Sequence, residues 1–288
     1  MKKRERNRLL VVAELALAAA QAELPPYSCP KSPKKFTQPQ LLACLVLKAH
    51  QKQTYQGVTD ILAVSDGLRT ALGLDRVPDP STLCRFADRA ATPSVIDRLL
   101  GRVLAMAGPE MGDAAMDSTG LDPGTASAYY EARRGTKHKG YVKVSVLILC
   151  GSLLPLGVVI SRGPRPDASE AKELLARAKA KGRPERLFAD KGYDAESIHQ
   201  FCYEEWGTES YIPPVIKRAD GKAGGKYRSR MIKLPADYGK RWHAESFHSG
   251  MKRTTGSKLQ ARTDRTQANE AAIRVLAYAV RRDSGCFQ

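Results

Sequence analysis

The sequence predicts an α/β fold, a mixed α+β sheet with helices on its faces, preceded by a helical N-terminal domain. Three observations predict it. The hydrophobic period changes near 108–112, helical before and strand-like after. Two Val/Ile/Leu-rich runs, 141–150 and 153–161, then follow one another across Gly151-Ser152, a two-residue hairpin signal. Beyond them strands and helices alternate, as a mixed sheet covered by helices requires. The 288 residues suit one large domain or two smaller ones.

In chain order, residues 1–24 read as a basic amphipathic helix. Glu14 interrupts its apolar run, which argues against a secretory segment. No other run reaches 18 apolar residues, so no membrane span is expected. Residues 25–35, rich in Pro and Lys, read as a linker. Residues 36–107 read as the helical N-terminal domain. Apolar residues at 41, 42, 45, 46 and 49 mark one helix, and 95–107 carries another apolar face. Asp79-Pro80 marks a helix start between them, an acidic cap followed by a ring that presets φ. DNA binding through a helix-turn-helix and a purely packing role are both open for this domain. The second domain, 113–282, begins with a strand at 114–119 and the hairpin. A helix at 168–181, a strand at 186–190, a helix at 194–206, a strand at 209–212 and a late helix follow.

Charge narrows the partners. The chain carries 47 Lys+Arg against 30 Asp+Glu, a net +17, which implies a polyanion, nucleic acid before an anionic membrane surface. Residues 213–262 hold thirteen Lys or Arg against three acids, a net of 13 − 3 = +10. Glycines, Tyr227 and Trp242 interleave them, as suits a loop folded around a phosphate backbone. The six cysteines include no Cys-x-x-Cys pair, so zinc and redox motifs are excluded and most thiols read as buried, reduced hydrophobes.

In so basic a chain the placement of acids is informative. Asp117 and Asp190 each end an apolar strand, where ligand-binding residues occur, although a turn-capping Asp is the plainer reading of either alone. Glu245 has helical company. Tyr238, Arg241, Glu245 and Lys252 stand at i, i+3, i+7 and i+14, so at about 100° per residue they share one helix face within roughly 60°.

The motif Tyr238-x2-Arg241-x3-Glu245-x6-Lys252 resembles the signature of DDE transposases of the insertion sequence 4 and insertion sequence 5 superfamily. Asp117-Ser118-Thr119-Gly120 is similar to the family's segment around its first catalytic Asp. Ala189-Asp190-Lys191-Gly192-Tyr193-Asp194 is similar to the segment around its second. The stretch Tyr129-Tyr130-x2-Arg133-Arg134-Gly135 and Pro155-Leu156 also resemble the group. The likeness covers about 114–280 well and 28–105 more loosely.

The resemblance implies an RNase H-like catalytic domain over 113–282 and an insertion-sequence transposase. Such an enzyme cuts DNA at the element ends and transfers the freed 3′-hydroxyl into target DNA. It implies that Asp117, Asp190 and Glu245 are both the catalytic residues and the ligands of two Mg²⁺ ions, with Mn²⁺ able to substitute. Hard carboxylate oxygens suit that ion, and two such ions serve the attacking and leaving oxygens of an in-line displacement. Arg241 and Lys252 would hold phosphates, Tyr238 would donate its hydroxyl to one, and Trp242 would pack or stack on an unpaired base. Lys191, Arg133, Arg134, Lys137 and His138 are further backbone-contact candidates. The implied partners are double-stranded DNA (terminal inverted repeats and target) and further copies of the chain. The implied place is the cytoplasm, on the nucleoid. The alternatives are a metal-dependent DNA nuclease that does not join ends, and a non-enzymatic basic DNA-binding protein.

Overall fold

The computed structural model describes residues 7–31, 33–124, 140–216 and 223–283. In chain order its α-helices are α1 (Arg8–Gln21), α2 (Gln38–His50), α3 (Tyr55–Val64), α4 (Asp66–Leu72), α5 (Pro80–Ala90), α6 (Pro93–Ala107), α7 (Ala168–Lys179), α8 (Glu196–Gln200), α9 (Trp242–Thr255) and α10 (Asp264–Asp283). Its strands are β1 (Asp113–Leu121), β2 (Val142–Leu149), β3 (Pro155–Arg162), β4 (Arg186–Ala189) and β5 (Glu209–Tyr211). These residues form two compact units. One comprises the described residues up to 108, 122–124 and those from 250 onward. The other comprises 109–121 and the described part of 138–249.

The helical unit follows its caps. At Thr37 the hydroxyl accepts from Gln40 N at 3.3 Å while Gln40 Oε1 accepts from Thr37 N at 2.9 Å, which starts α2 with two otherwise orphaned N–H groups satisfied. Asp79 accepts from Ser81 N at 2.8 Å and Pro80 opens α5, as the sequence predicts. Of the apolar stripe expected on α2, Leu41, Leu42, Leu45 and Val46 are buried and Ala49 half-buried, but Ala43, Cys44 and Leu47 on its other sides are buried too. A helix apolar all round is a core helix. α10 is its counterpart. Its run Ala271–Val280 is buried throughout, and it packs on α2, α5 and α6. Small side chains (Ala271, Ala272, Ala277, Ala279) permit that close approach. The C-terminal helix therefore belongs with the N-terminal helices, whereas the sequence reading runs the second domain on to 282. α1 buries Val12, Ala13, Ala16, Ala19 and Ala20, largely against α2, α4 and α6, so its apolar face is spent inside the protein. Among the described residues no helix is long and apolar enough to cross a membrane.

The second unit is a five-stranded sheet in the order β3-β2-β1-β4-β5. β1 pairs antiparallel with β2 and parallel with β4, β2 pairs antiparallel with β3, and β4 pairs parallel with β5. This is the RNase H-like arrangement expected above. Every residue of β2 is buried, as a strand covered on both faces must be. α7 lies against β3 and β2. Two local expectations need correction. The hairpin joint is not a two-residue turn. Leu153, with φ of 59°, donates to Leu149 O at 2.8 Å, Leu149 N donates to Leu154 O at 3.0 Å, and the register shifts between Leu147 and Ile148. The turn therefore takes in residues 150–153. The helix expected at 194–206 starts at Glu196, because Asp194 is occupied elsewhere, and its second half, Phe201–Trp206, is wound as a π-helix.

Candidate active site

Sheet register sets the first pair of acids. The parallel β1–β4 pairing ends at Met116↔Ala189, so Asp117 and Asp190 are the next residue on each of two neighbouring strands, whose backbones run about 4.8 Å apart. Asp190 lies just past the end of β4, as read from sequence. Asp117 does not end its strand: β1 continues to Leu121 because β2 keeps pairing with it as far as Leu121↔Val142. Asp190 Oδ1 accepts from Gly192 N at 2.8 Å, which fixes its carboxylate on a 3₁₀ turn, Lys191–Tyr193. Lys191 is exposed on that turn and Tyr193 is fully buried beneath it.

Glu245 comes from the first turn of α9. Its side chain is half exposed and pairs with Arg241 at 2.5 Å. His248, one turn further and 5% exposed, brings Nε2 to 3.9 Å from Asp117 Oδ2. Asp117 registers the whole group. Its carboxyl is pushed up to about 6, first by burial and then by the negative charges of Asp190 and Glu245. The Ser118 N–H and Arg241 act the other way. Asp190 and Glu245 therefore both act on Asp117 within the sheet unit. They are not drawn into a cage: among the described residues no group of three or more His, Cys, Asp or Glu side chains is placed to hold a metal ion. Arg241 serves as the counter-ion of Glu245. The donor set still suits a hard divalent cation, which would offset the burial and the neighbouring negative charges that raise Asp117.

The single helix face expected for Tyr238, Arg241, Glu245 and Lys252 is corrected by the winding. Tyr238–Arg241 is a 3₁₀ turn and α9 begins only at Trp242, so the phase of 100° per residue does not run through all four. The Tyr238 hydroxyl donates to Ala189 O at 2.8 Å, directly before Asp190, instead of pointing its proton to a phosphate. Its ring meets Phe188 edge-on, with centroids 6.4 Å apart. Trp242 is 54% exposed, and among the described residues its ring stacks on that of His243. Lys252 lies in the last turn of α9, within the helical unit, and burial lowers its proton affinity. Arg133, Arg134, Lys137 and His138 lie outside the described residues.

A fourth acid escapes sequence reasoning. Asp167 precedes α7 and takes the Ser118 hydroxyl on one oxygen and the Lys143 ammonium at 2.8 Å. A Cβ at Gly192 would sit 2.9 Å from both Asp167 Oδ2 and Asp190 Oδ1, so these carboxylates flank the same glycine. Lys143 is 2% exposed. It also donates to Arg165 O at 2.8 Å and lies 3.8 Å from Glu170, which accepts from Ser145 and Ser161. Nothing in the motifs marks Asp167. His248, by contrast, stands at i+3 from Glu245, and that spacing could have placed it on the same face.

Part of the basic stretch 213–262 is engaged in ion pairs within the protein. Arg228 grips Asp194 with two bonds of 2.6 Å, and Lys240 pairs with Asp113 at 2.5 Å and Asp237 at 3.1 Å. Lys226 reaches Glu204 at 3.5 Å. Of the described cysteines, Cys44, Cys150 and Cys202 are buried while Cys29 and Cys84 are exposed, and all five are free thiols.

Comparison with known proteins gives one family. A family model described as the transposase DDE domain matches residues 108–280, which spans the sheet, Asp117, Asp190 and Glu245 together. Neither a curated protein nor a solved structure gives a match. With that match over more than half of its length, on an RNase H-like sheet that places two acids on adjacent strand positions, the chain belongs to the DDE transposase family of DNA-processing enzymes.

Proposed function

We propose that this chain is an insertion-sequence transposase of the insertion sequence 4 and insertion sequence 5 superfamily. It hydrolyses DNA at element ends and then transfers the freed 3′-hydroxyl into target DNA. Asp117, Asp190 and Glu245 are its catalytic carboxylates and hold the divalent cation, Mg²⁺ by the hardness of the donor set. The observation that supports this reading is the β1–β4 register, which sets Asp117 beside Asp190, with Glu245 among the charges that act on Asp117.

When bound, the cation supplies charge relief at the phosphoryl group and acidity for the attacking water or hydroxyl. The protein's own groups do the rest. Asp117, raised only to about 6, is already mostly ionised at neutral pH and could hold the cation without shedding a proton. Arg241 exchanges Glu245 for a DNA phosphate, which its planar fork can grip with two hydrogen bonds, and so frees Glu245. DNA entry and completion of the carboxylate set are thus linked through one ion pair. Tyr238 clamps the end of β4 and keeps Asp190 in place while Glu245 moves. Trp242, exposed beside Arg241, offers a ring face to a base at the cut end. Lys191 contacts the backbone beside Asp190. Lys252, Arg133 and Arg134 are the remaining DNA contacts. The chain acts as an oligomer on DNA, because joining two ends requires two active sites held together.

The test is the substitution Glu245→Gln with end-labelled element DNA. Binding is expected to persist within about threefold, since one neutralised acid removes no phosphate contact. Nicked and joined products should both vanish. Joining at the wild-type rate by this variant would remove Glu245 from the site. Nicking without joining by the unaltered protein would reduce the reading to a nuclease.

A further inference from the structure

The helical unit contains a cavity of 780 Å³ that the carboxylate site does not use. Its walls come from the C-terminal end of α2, the start of α3, α5, the segment 255–263 and α10. That volume lies within the range of about 300–1,000 Å³ typical of small-ligand sites and is far too small for a base-paired duplex.

Its lining is strongly biased in charge. Seven Lys or Arg stand against two carboxylates, Asp88 and Glu270. Both carboxylates are engaged. Asp88 pairs with Arg265 at 2.8 Å. Glu270 pairs with Arg274 at 2.6 Å and accepts from the N–H groups of Gln260 and Ala261 at 2.9 and 2.8 Å. Glu270 therefore pins the 256–262 wall. Lys52, Lys258 and Arg262 are exposed cations with no carboxylate partner among the described residues.

Lys48 is the informative residue. It is only 9% exposed. Its Nζ lies 3.4 Å from Gln260 Oε1 and 4.6 Å from the centroid of the Tyr55 ring. Burial lowers its proton affinity and the charge of Glu270 opposes that. A buried ammonium touched by an amide oxygen and a ring face, with no carboxylate in contact, is incompletely compensated. Beside it the wall is apolar, with Leu45, Ala49, Ala87 and Ile273. A ligand matching all of this carries an anionic group for the cations and a flat apolar body for the ring and aliphatic wall. A nucleotide has both. A simple carboxylate or a free sugar lacks one or the other.

We propose that this cavity receives a single unpaired nucleotide of a DNA strand, with its base against Tyr55 and the apolar wall and its phosphate on Lys48, Lys258 and Arg262. The DNA source follows from membership of a DNA-processing family and from the net charge of +17. The cavity lies wholly within the helical unit and does not depend on the assignment of the three carboxylates. Presenting a base to it means unstacking that base, which costs least at a strand end or mismatch.

The experiment is binding by the full chain, with no cleavage readout. One duplex carries a single unpaired 2-aminopurine nucleotide and its control is fully paired. The unpaired probe should bind about tenfold more tightly, the scale of one base–aromatic contact, and its fluorescence should change on binding. Arg262→Ala, at an exposed position that is safe for folding, and Tyr55→Leu should each remove most of that advantage. The paired duplex should stay within about threefold. Lys48→Met is read only alongside its melting temperature. Free dAMP should displace the unpaired probe only at millimolar concentration. Equal affinity for the two duplexes, or variants that weaken both alike, would overturn the proposal. Micromolar binding of dAMP with no preference for the unpaired duplex would also overturn it, in favour of a free nucleotide.

Discussion

Asp117 is a carboxyl that five influences pull in two directions. Burial and the charges of Asp190 and Glu245 raise it to about 6, while Ser118 N–H and Arg241 hold it down. A cation can bind there only when the proton leaves. Divalent affinity should therefore be full above pH 7 and fall as pH drops through 6, by up to tenfold per unit once Asp117 is mostly protonated. Calorimetric titration of Mn²⁺ into DNA-free protein between pH 5 and 8 checks this. An affinity flat across that range would mean that Asp117 is not a ligand. Asp167 makes a different prediction. It holds the fully buried Lys143, so Asp167→Asn leaves an ammonium with weaker compensation, and the folded state should lose about 1–3 kcal/mol by urea denaturation. Asp167→Glu should restore part of the stability. Because Asp167 and Asp190 flank Gly192, the Asn variant should also shift divalent affinity, an effect absent from a purely structural ion pair.

Elements decide which side chains can meet. The parallel register of β1 and β4 places Asp117 beside Asp190, although 73 residues separate them in sequence. The 3₁₀ turn before α9 alters the phase of the motif and turns Tyr238 onto β4. Tyr238→Phe tests that clamp. It keeps the ring against Phe188 and removes one hydrogen bond, for an expected loss of about 1 kcal/mol in stability. If Tyr238 instead served DNA directly, the variant would keep its full stability and lose affinity for the duplex. The helix face was only partly legible in the motif. A spacing of i, i+3, i+7 assumes one winding throughout, and nothing in Tyr238-Gly239-Lys240-Arg241 announces the tighter turn. The hairpin was legible as two strands but not in its loop, because Leu153 adopts a left-handed φ that residue identity gives no reason to expect.

At the scale of the whole molecule, net charge sets affinity for DNA, but the basic stretch contributes less freely than its count suggests. Arg228, Lys240 and Arg241 are held by Asp194, Asp113 and Glu245. Binding to duplex DNA should still weaken by about 10³- to 10⁵-fold between 50 and 200 mM salt if six to ten phosphates are contacted. Fluorescence anisotropy over that range measures it. A markedly shallower slope would mean that the internal ion pairs persist in the complex.

Composition and periodicity by themselves determined the polyanionic partner, the helical N-terminal domain and the order of strands and helices after residue 112. Local hydrophobic patterning carries that information without reference to distant parts of the chain. Tertiary structure alone decided that the last helix joins the first ones, that Asp167 and His248 stand beside the motif acids, and that Lys48 is buried over Tyr55. Each of these depends on residues far apart in sequence arriving at one place, and the packing of complementary surfaces, which no local pattern encodes, brings them there.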